Sequence, residues 1–259
     1  MELSLKIIPT TLLSGYKESF DVSLQNTFDN LQESELSTGT FSFYTSVSAV
    51  FSSKIEGEDI ELDSFIKHKR LGVQYQPDYT QKIDDLYTAY QFAANNSLSA
   101  DNLLQAHALL TKNILHKSMQ GQLRKGNMFV ITDDGKIEYV AATPDRVLPE
   151  MQKLYDDIDV LLKTKLSFTE VLFYASMLHL VFVKIHPFED GNGRTGRLLE
   201  KWFLAQKLGT KAWFIQSEKH YYNQHQTYYN NIRKLGLEYD ELNYIQAMPF
   251  LKMLQEALK

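Results

Sequence analysis

The stretch that most constrains the fold runs from Ser167 to Pro187. It opens with Ser167-Phe-Thr-Glu170, a capping box in which the serine hydroxyl and the glutamate carboxylate satisfy orphan backbone N–H groups at a helix start. From Leu178 to Ile185 apolar residues cover nearly the whole circumference, broken by His179 and Lys184. A helix that is apolar all round has to be enclosed by other elements. Pro187 then biases His186 away from helical geometry and ends the helix. With 12 glycines and 6 prolines in 259 residues, little interrupts helices elsewhere. The expected fold is mainly α, a helical bundle built around this segment.

Further helices follow from the 3.6-residue spacing of apolar positions. Tyr16 to Leu36 carries Phe20, Leu24, Phe28 and Leu31 at helical intervals. Ser42 can cap a helix containing Phe43, Val47, Val50, Phe51 and Ile55, which ends at Gly57. Ile83 to Phe92 and Asp101 to Leu115 read as two more. A helix over about Asn192 to Lys207 turns Leu198, Leu199, Trp202 and Phe203 inward, with Gly209 past its end. Asn127–Ile131 and Lys136–Ala141 break the pattern: both are rich in β-formers, and Thr132-Asp-Asp-Gly135 lies between them. From the residues alone a β-hairpin and a plain surface loop stand about level here. Pro144 and Pro149 bracket the return to helix. No repeat or flexible linker is present. The chain divides into an N-terminal helical region (1–90), a core (91–240) and a helical tail (241–259), expected to pack as one unit. From Tyr239 onward there is room for one or two helices and not for a winged-helix domain.

Composition narrows the function classes. Hydrophobic residues at 44% and charged residues at 23% are ordinary for a globular chain. A net charge of −5 supplies no basic surplus, so no nucleic-acid partner is expected. The absence of cysteine rules out disulfides, thiolate metal sites and a cysteine nucleophile. No stretch is judged to approach the length of a membrane span, and Met1 to Thr11 lacks a basic signal-peptide start. The expectation is a cytoplasmic protein with no membrane association.

The chemistry concentrates in His186-Pro-Phe-Glu-Asp-Gly-Asn-Gly-Arg-Thr-Gly-Arg197. This segment joins the apolar helix to the next one. A helix N-terminus presents unpaired N–H groups and partial positive charge, which suits phosphate. Gly191 and Gly193 permit a concave nest of N–H groups, and Arg194 and Arg197, one turn apart, can share a face toward the same anion. Asp190 could hold Mg²⁺ against phosphates, and His186 could deprotonate an attacking hydroxyl. Taken singly, each residue has a plainer reading: a structural histidine, a turn, a solvated pair of arginines. Their conjunction at this junction favours a polyphosphate site. Gly191-x4-Gly196-Arg197 only approximates a P-loop, since it lacks the Lys, the Ser or Thr and a preceding strand. His179 and His186 lie seven apart, which does not suit a zinc pair on one helix.

These residues resemble the signature of the Fic domain family, HxFx[D/E]GNGRxxR, at every fixed position: His186, Phe188, Asp190, Gly191, Asn192, Gly193, Arg194 and Arg197. The resemblance extends from about Ser42 to Leu235. It implies a helical core with a β-hairpin flap at about 121–144, and transfer of AMP from ATP to a Ser, Thr or Tyr hydroxyl of a target protein, self-modification included. It further implies His186 as general base and Asp190 as the Mg²⁺ ligand. The Gly191-Asn192-Gly193 segment would cradle phosphates, and Arg194 and Arg197 would neutralise them. Gly121-x-x-Arg124 resembles the flap entry. The flap residues Phe129, Val130, Ile131, Tyr139 and Val140 would align an extended target segment by strand pairing. Tyr228-Tyr229 resembles a nucleoside-contacting pair, although Leu235-Gly236-Leu237 stands where some relatives carry an asparagine. Ser52-x-x-x-Glu56-Gly57 resembles the inhibitory motif of members with an N-terminal brake helix, here about 42–57. Glu56 would pair with Arg197 and withhold it from the γ-phosphate. Family members often pair as homodimers. Competing readings are removal of AMP or transfer of another phosphate-containing group, a non-catalytic nucleotide-binding regulator, and a toxin with a separate inhibitor.

Overall fold

The computed structural model describes residues 3–39, 41–75, 77–131 and 137–259. Its first helices, α1 (Leu13–Glu18) and α2 (Ser23–Asp29), replace the single helix expected over Tyr16–Leu36. The break follows from Asp21, whose carboxylate accepts from the Ser23 N–H at 3.0 Å and the Ser23 hydroxyl at 2.6 Å, a local bond that competes with helix continuation. Helix α3 (Phe43–Ile55) starts where expected, with Ser42 Oγ accepting from the Thr45 N–H. It is followed by α4 (Leu62–Leu71), α5 (Pro77–Asn95) and α6 (Ala100–Leu110). Helix α5 is longer than the Ile83–Phe92 core of its pattern. Helix α6 stops five residues before Leu115, where the Thr111 hydroxyl bonds back to the His107 carbonyl at 2.7 Å.

A two-stranded antiparallel hairpin comes next, β1 (Phe129–Ile131) and β2 (Ile137–Val140). Phe129 pairs with Val140 and Val130 with Tyr139, and the register shifts before Ile131 meets Ile137. The connecting residues, including the expected Asp134-Gly135 turn, lie outside the described residues. Helix α7 (Pro144–Lys163) takes Pro144 into its first turn and encloses Pro149, which therefore does not mark its start.

Helix α8 (Phe168–Ile185) realises the capping box in full and forms the centre of the molecule. By length and composition it would suffice to cross a membrane, contrary to the expectation that no stretch approaches a span. In this fold 78% of it is buried within the protein. Helix α9 (Asn192–Leu208) packs against α8, with Leu198, Leu199, Trp202 and Phe203 fully buried. Helices α10 (Ser217–Asn223), α11 (His225–Arg233) and α12 (Met248–Glu256) close the bundle.

Helix α3 seats against α5, α9 and α10. Its docked side is rich in small polar residues, and one of them is anchored by charge. Ser48 Oγ accepts from Lys201 Nζ at 2.7 Å and donates to Glu218 Oε2 at 3.1 Å, while Lys201 and Glu218 pair at 2.5 Å with neither side chain exposed. The Tyr90 hydroxyl donates to the other Glu218 oxygen at 2.7 Å, and Lys201 also bonds the Ile215 carbonyl. A buried pair survives desolvation when its remaining donors and acceptors are satisfied in this way.

Candidate active site

The C-terminus of α8 and the N-terminus of α9 meet at one loop. His186 caps α8 in the left-handed region (φ 53°), the only non-glycine to do so among the described residues. Pro187 disfavours helix at His186, and the left-handed turn is the way out that the fold takes. Asn192 staples the loop: its Oδ1 accepts from the Phe188 N–H at 2.9 Å and its Nδ2 donates to the Phe188 carbonyl at 2.8 Å. Gly191 caps α9 with φ 80°, and a Cβ there would lie 2.7 Å from Thr111 Cγ2, so α6 forms the floor of the turn.

The floor contains a residue that sequence reasoning missed. His107, fully buried on α6, stacks on the Phe188 ring at 3.6 Å with 12° between planes. Its Nδ1 accepts from the Gly121 N–H at 2.9 Å, which leaves the hydrogen on Nε2 to be donated to the Asp190 carbonyl at 3.0 Å. Burial pushes its pKa down to about 4, consistent with a neutral ring. A lone histidine on an amphipathic helix carries no signal for this in the sequence.

Arg124 fastens the flap to the loop. Its guanidinium donates to the carbonyls of His186, Gly126 and Ala142, and at 3.4 Å to that of Ile185. These include terminal carbonyls of α8, where a cation is favoured.

The His186 ring lines a cavity shared with Val130, Gly193, Arg197 and Glu56. Its Nδ1 lies 3.3 Å from the Val183 carbonyl, which can only accept, so Nε2 keeps the lone pair. Burial pushes the His186 pKa down to about 4. The side chain of Asp190 is 55% exposed, and its Oδ1 accepts from the Gly191 N–H at 2.5 Å. Among the described residues no group of three or more His, Asp or Glu is placed to hold a metal. A cation here would have to share Asp190 with a ligand's phosphates, which is how Mg²⁺ is commonly held.

The two arginines of the motif hydrogen-bond to different carboxylates. Arg197, 1% exposed, donates through Nη2 to Glu56 Oε1 at 2.6 Å and to the Ser52 carbonyl at 3.0 Å, and through Nε to Ser52 Oγ at 2.9 Å. Burial by itself would raise the Glu56 carboxyl, but Arg197 and Arg194 outweigh it and hold it below the usual carboxylate range. A Cβ on Gly193 would run into Glu56 Oε1, so the carboxylate lies against the first turn of α9. Arg194, expected to share the anion with Arg197, instead pairs with buried Glu58 at 2.8 Å, and Lys82 approaches Glu58 at 3.7 Å. Helical spacing put the two guanidinium groups on adjacent positions, and the two carboxylates of the 56–58 turn draw them to separate partners.

Tyr228 lines the cavity with Tyr229, and its hydroxyl points into the core, 3.0 Å from His179 Nε2 and 3.4 Å from Arg197 Nη1. Two further expectations need correction. Tyr139 is buried with its hydroxyl donating to the Lys184 carbonyl at 2.7 Å, beneath the Lys184 ammonium. The Val140 N–H is taken by the Leu237 carbonyl at 2.8 Å. Neither belongs to a docking edge. Phe129 and Ile131, 46% and 59% exposed, do face outward, and Val130 faces the cavity.

Residues 97–204 match the model of the Fic/DOC family. Among solved structures, the chain is similar to a Fic family protein from Desulfovibrio desulfuricans G20, at 22% identity and TM-score 0.74 over 99% of this chain and 73% of that one. It is similar to a Fic domain containing signaling protein from Bacteroides thetaiotaomicron VPI-5482, at 15% identity and TM-score 0.68 over 96% and 91% of the two chains. Fic-1 (aa134–508) from C. elegans is similar at 17% identity and TM-score 0.65, over 95% and 68%. At these identities the likeness concerns the fold, a helical one with a small hairpin.

Proposed function

We propose, from the premise that residues 97–204 of this chain are a Fic/DOC family domain, that the protein is an adenylyltransferase. It would transfer AMP from ATP to hydroxyl side chains of target proteins, its own included, and the present structure is its braked state. The observation that carries this reading is the Glu56–Arg197 pair at 2.6 Å, laid against Gly193 at the head of α9. A carboxylate there occupies the kind of place a helix N-terminus offers to a phosphate.

In the released state the first turn of α9 and Arg197 would receive the polyphosphate. Mg²⁺, held by Asp190, would supply charge neutralisation at the phosphates. His186 would take the hydroxyl proton on Nε2 as the target oxygen bonds to the α-phosphorus and pyrophosphate departs. A neutral imidazole is needed for that, and burial provides one. Bound phosphates nearby would raise its basicity above that of the empty site. Phe129 and Ile131 on the outer flap would meet the target segment.

Breaking a buried ion pair costs about 3–5 kcal/mol. Glu56 is 24% exposed, so the lower end, about 3 kcal/mol, applies, and release is expected to raise turnover by about a hundredfold. Incubation with labelled ATP and Mg²⁺ tests this. Glu56→Gly should incorporate AMP well above wild type, and Glu56→Gly with His186→Ala should incorporate none. Equal labelling of wild type and Glu56→Gly would remove the brake, and release of AMP from pre-modified proteins without incorporation would reverse the assigned direction.

A further inference from the structure

In the braked state most of what holds Arg197 belongs to the brake. Its bonds to Ser52 Oγ, the Ser52 carbonyl and Glu56 all go to α3 or its end, and would be lost when that segment leaves. A different element supplies the remaining bond, from Arg197 Nη1 to the Tyr228 hydroxyl on α11 at 3.4 Å.

The Tyr228 hydroxyl belongs to a buried chain whose hydrogens run one way. Tyr221 donates to both Glu200 oxygens, at 2.9 and 3.0 Å, so that carboxylate is held on one side. On the other side Glu200 Oε2 lies 2.9 Å from His179 Nδ1 and takes its hydrogen, since a carboxylate only accepts. His179 Nε2 is then the acceptor for the Tyr228 O–H at 3.0 Å, and the Tyr228 oxygen is left with lone pairs for Arg197. Packing fixes the chain in place. His179 and Glu200 are fully buried, Tyr221 stacks on Tyr228 at 5.0 Å, and Phe250 closes the edge of the His179 ring. Gly196 makes the room: a Cβ there would lie 2.9 Å from His179 Cδ2 and 2.8 Å from Val183 Cγ1.

We infer that Tyr228, oriented by His179 and Glu200, is a positioning residue that holds Arg197 in place for the γ-phosphate once Glu56 has withdrawn. The inference rests on the adenylyltransferase reading. The Tyr228 contact is the long one here because Glu56 and Ser52 draw the guanidinium toward α3; on release it closes onto the hydroxyl. The chain thereby limits the rotamers that Arg197 would otherwise explore in an opened cavity, which is the physical content of preorganisation. It gives the Tyr228 hydroxyl a part in nucleotide binding that runs through Arg197.

The test uses the full chain with Glu56→Gly and measures Mg²⁺-ATP and Mg²⁺-ADP binding by calorimetry, because only ATP carries the γ-phosphate. Adding Tyr228→Phe should weaken ATP about tenfold, as expected for a lost bond to a charged group, and leave ADP within about twofold. Adding Tyr228→Phe to Arg197→Ala should cost nothing further, since the coupling runs through that guanidinium. His179→Asn tests the next link without altering the cavity wall: its amide can replace Nδ1 toward Glu200 but cannot reach Tyr228, and the same ATP-selective loss is expected. Equal weakening of ATP and ADP, or full additivity with Arg197→Ala, overturns the relay alone. Failure of the Glu56→Gly protein itself to bind ATP overturns the adenylyltransferase reading and the relay with it.

Discussion

At the scale of single residues, His186 combines an unusual backbone with an unusual acidity. The left-handed turn at its Cα aims the ring into the cavity, and burial there pushes its pKa from an ordinary 6.5 to about 4. If Nε2 is the proton acceptor, the acid limb of kcat/KM, which reports the free enzyme, should fall well below pH 6.5 and toward 4. A pH–rate profile of Glu56→Gly checks this, and a limb centred at 6.5 would show a solvated imidazole or a different base. The residue scale is also where sequence reasoning was most uneven. His186, Asp190 and the glycines are consecutive, so their meeting at one turn needs no tertiary information. Tyr228 shows the opposite case. Its adjacency to Tyr229 is visible in the chain, but the direction of its hydroxyl is set by His179, 49 residues away.

At the scale of elements, the question is what keeps α3 on the site. Glu56 and Ser52 act at its C-terminal end, while Ser48, one turn earlier, is clamped by the Lys201–Glu218 pair. Ser48→Ala removes an acceptor from a buried ammonium and should lower stability by about 1–2 kcal/mol. It should also raise basal AMP incorporation several-fold, short of the Glu56→Gly level, because a loosened helix presents Glu56 less of the time. Thermal unfolding and labelling of the same sample measure both effects. A lower midpoint with unchanged labelling would mean that α3 stays seated through its other contacts. The hairpin shows the same division between local and distant causes. Its strands were legible as β-rich runs; composition left hairpin and loop about level and the family resemblance implied a hairpin, while the structure shows Arg124 tying the flap to the end of α8.

At the scale of the whole molecule, buried neutral imidazoles make stability depend on pH. His107 and His186 both have pKa values near 4 in the folded protein, against 6.5 when unfolded. Between those values the unfolded chain binds more protons, so stability is fully present above about pH 6.5 and declines as pH falls toward 4. Moving from pH 7.5 to pH 5 should cost about 1–2 kcal/mol for each imidazole. Glu56 has the opposite charge but the same slope: its contribution is lost as pH falls through its depressed value. Urea midpoints across this range give the measurement. His186→Asn, which tolerates the left-handed backbone, should flatten part of the dependence, and an unchanged slope would place the proton uptake elsewhere.

The sequence by itself determined the helical class, the buried central helix, the limits of that helix and the glycine-rich turn that follows. Each of these depends on periodicity or on residues within one or two turns of one another, and such short-range physics is written in the chain. The tertiary structure decided which charges meet: Arg197 with Glu56, Arg194 with Glu58, Tyr228 with His179, and His107 beneath the loop. Those partners are separated by tens to more than a hundred residues. Their choice depends on packing volume and on the expense of leaving a buried polar group unpaired, which no local pattern encodes.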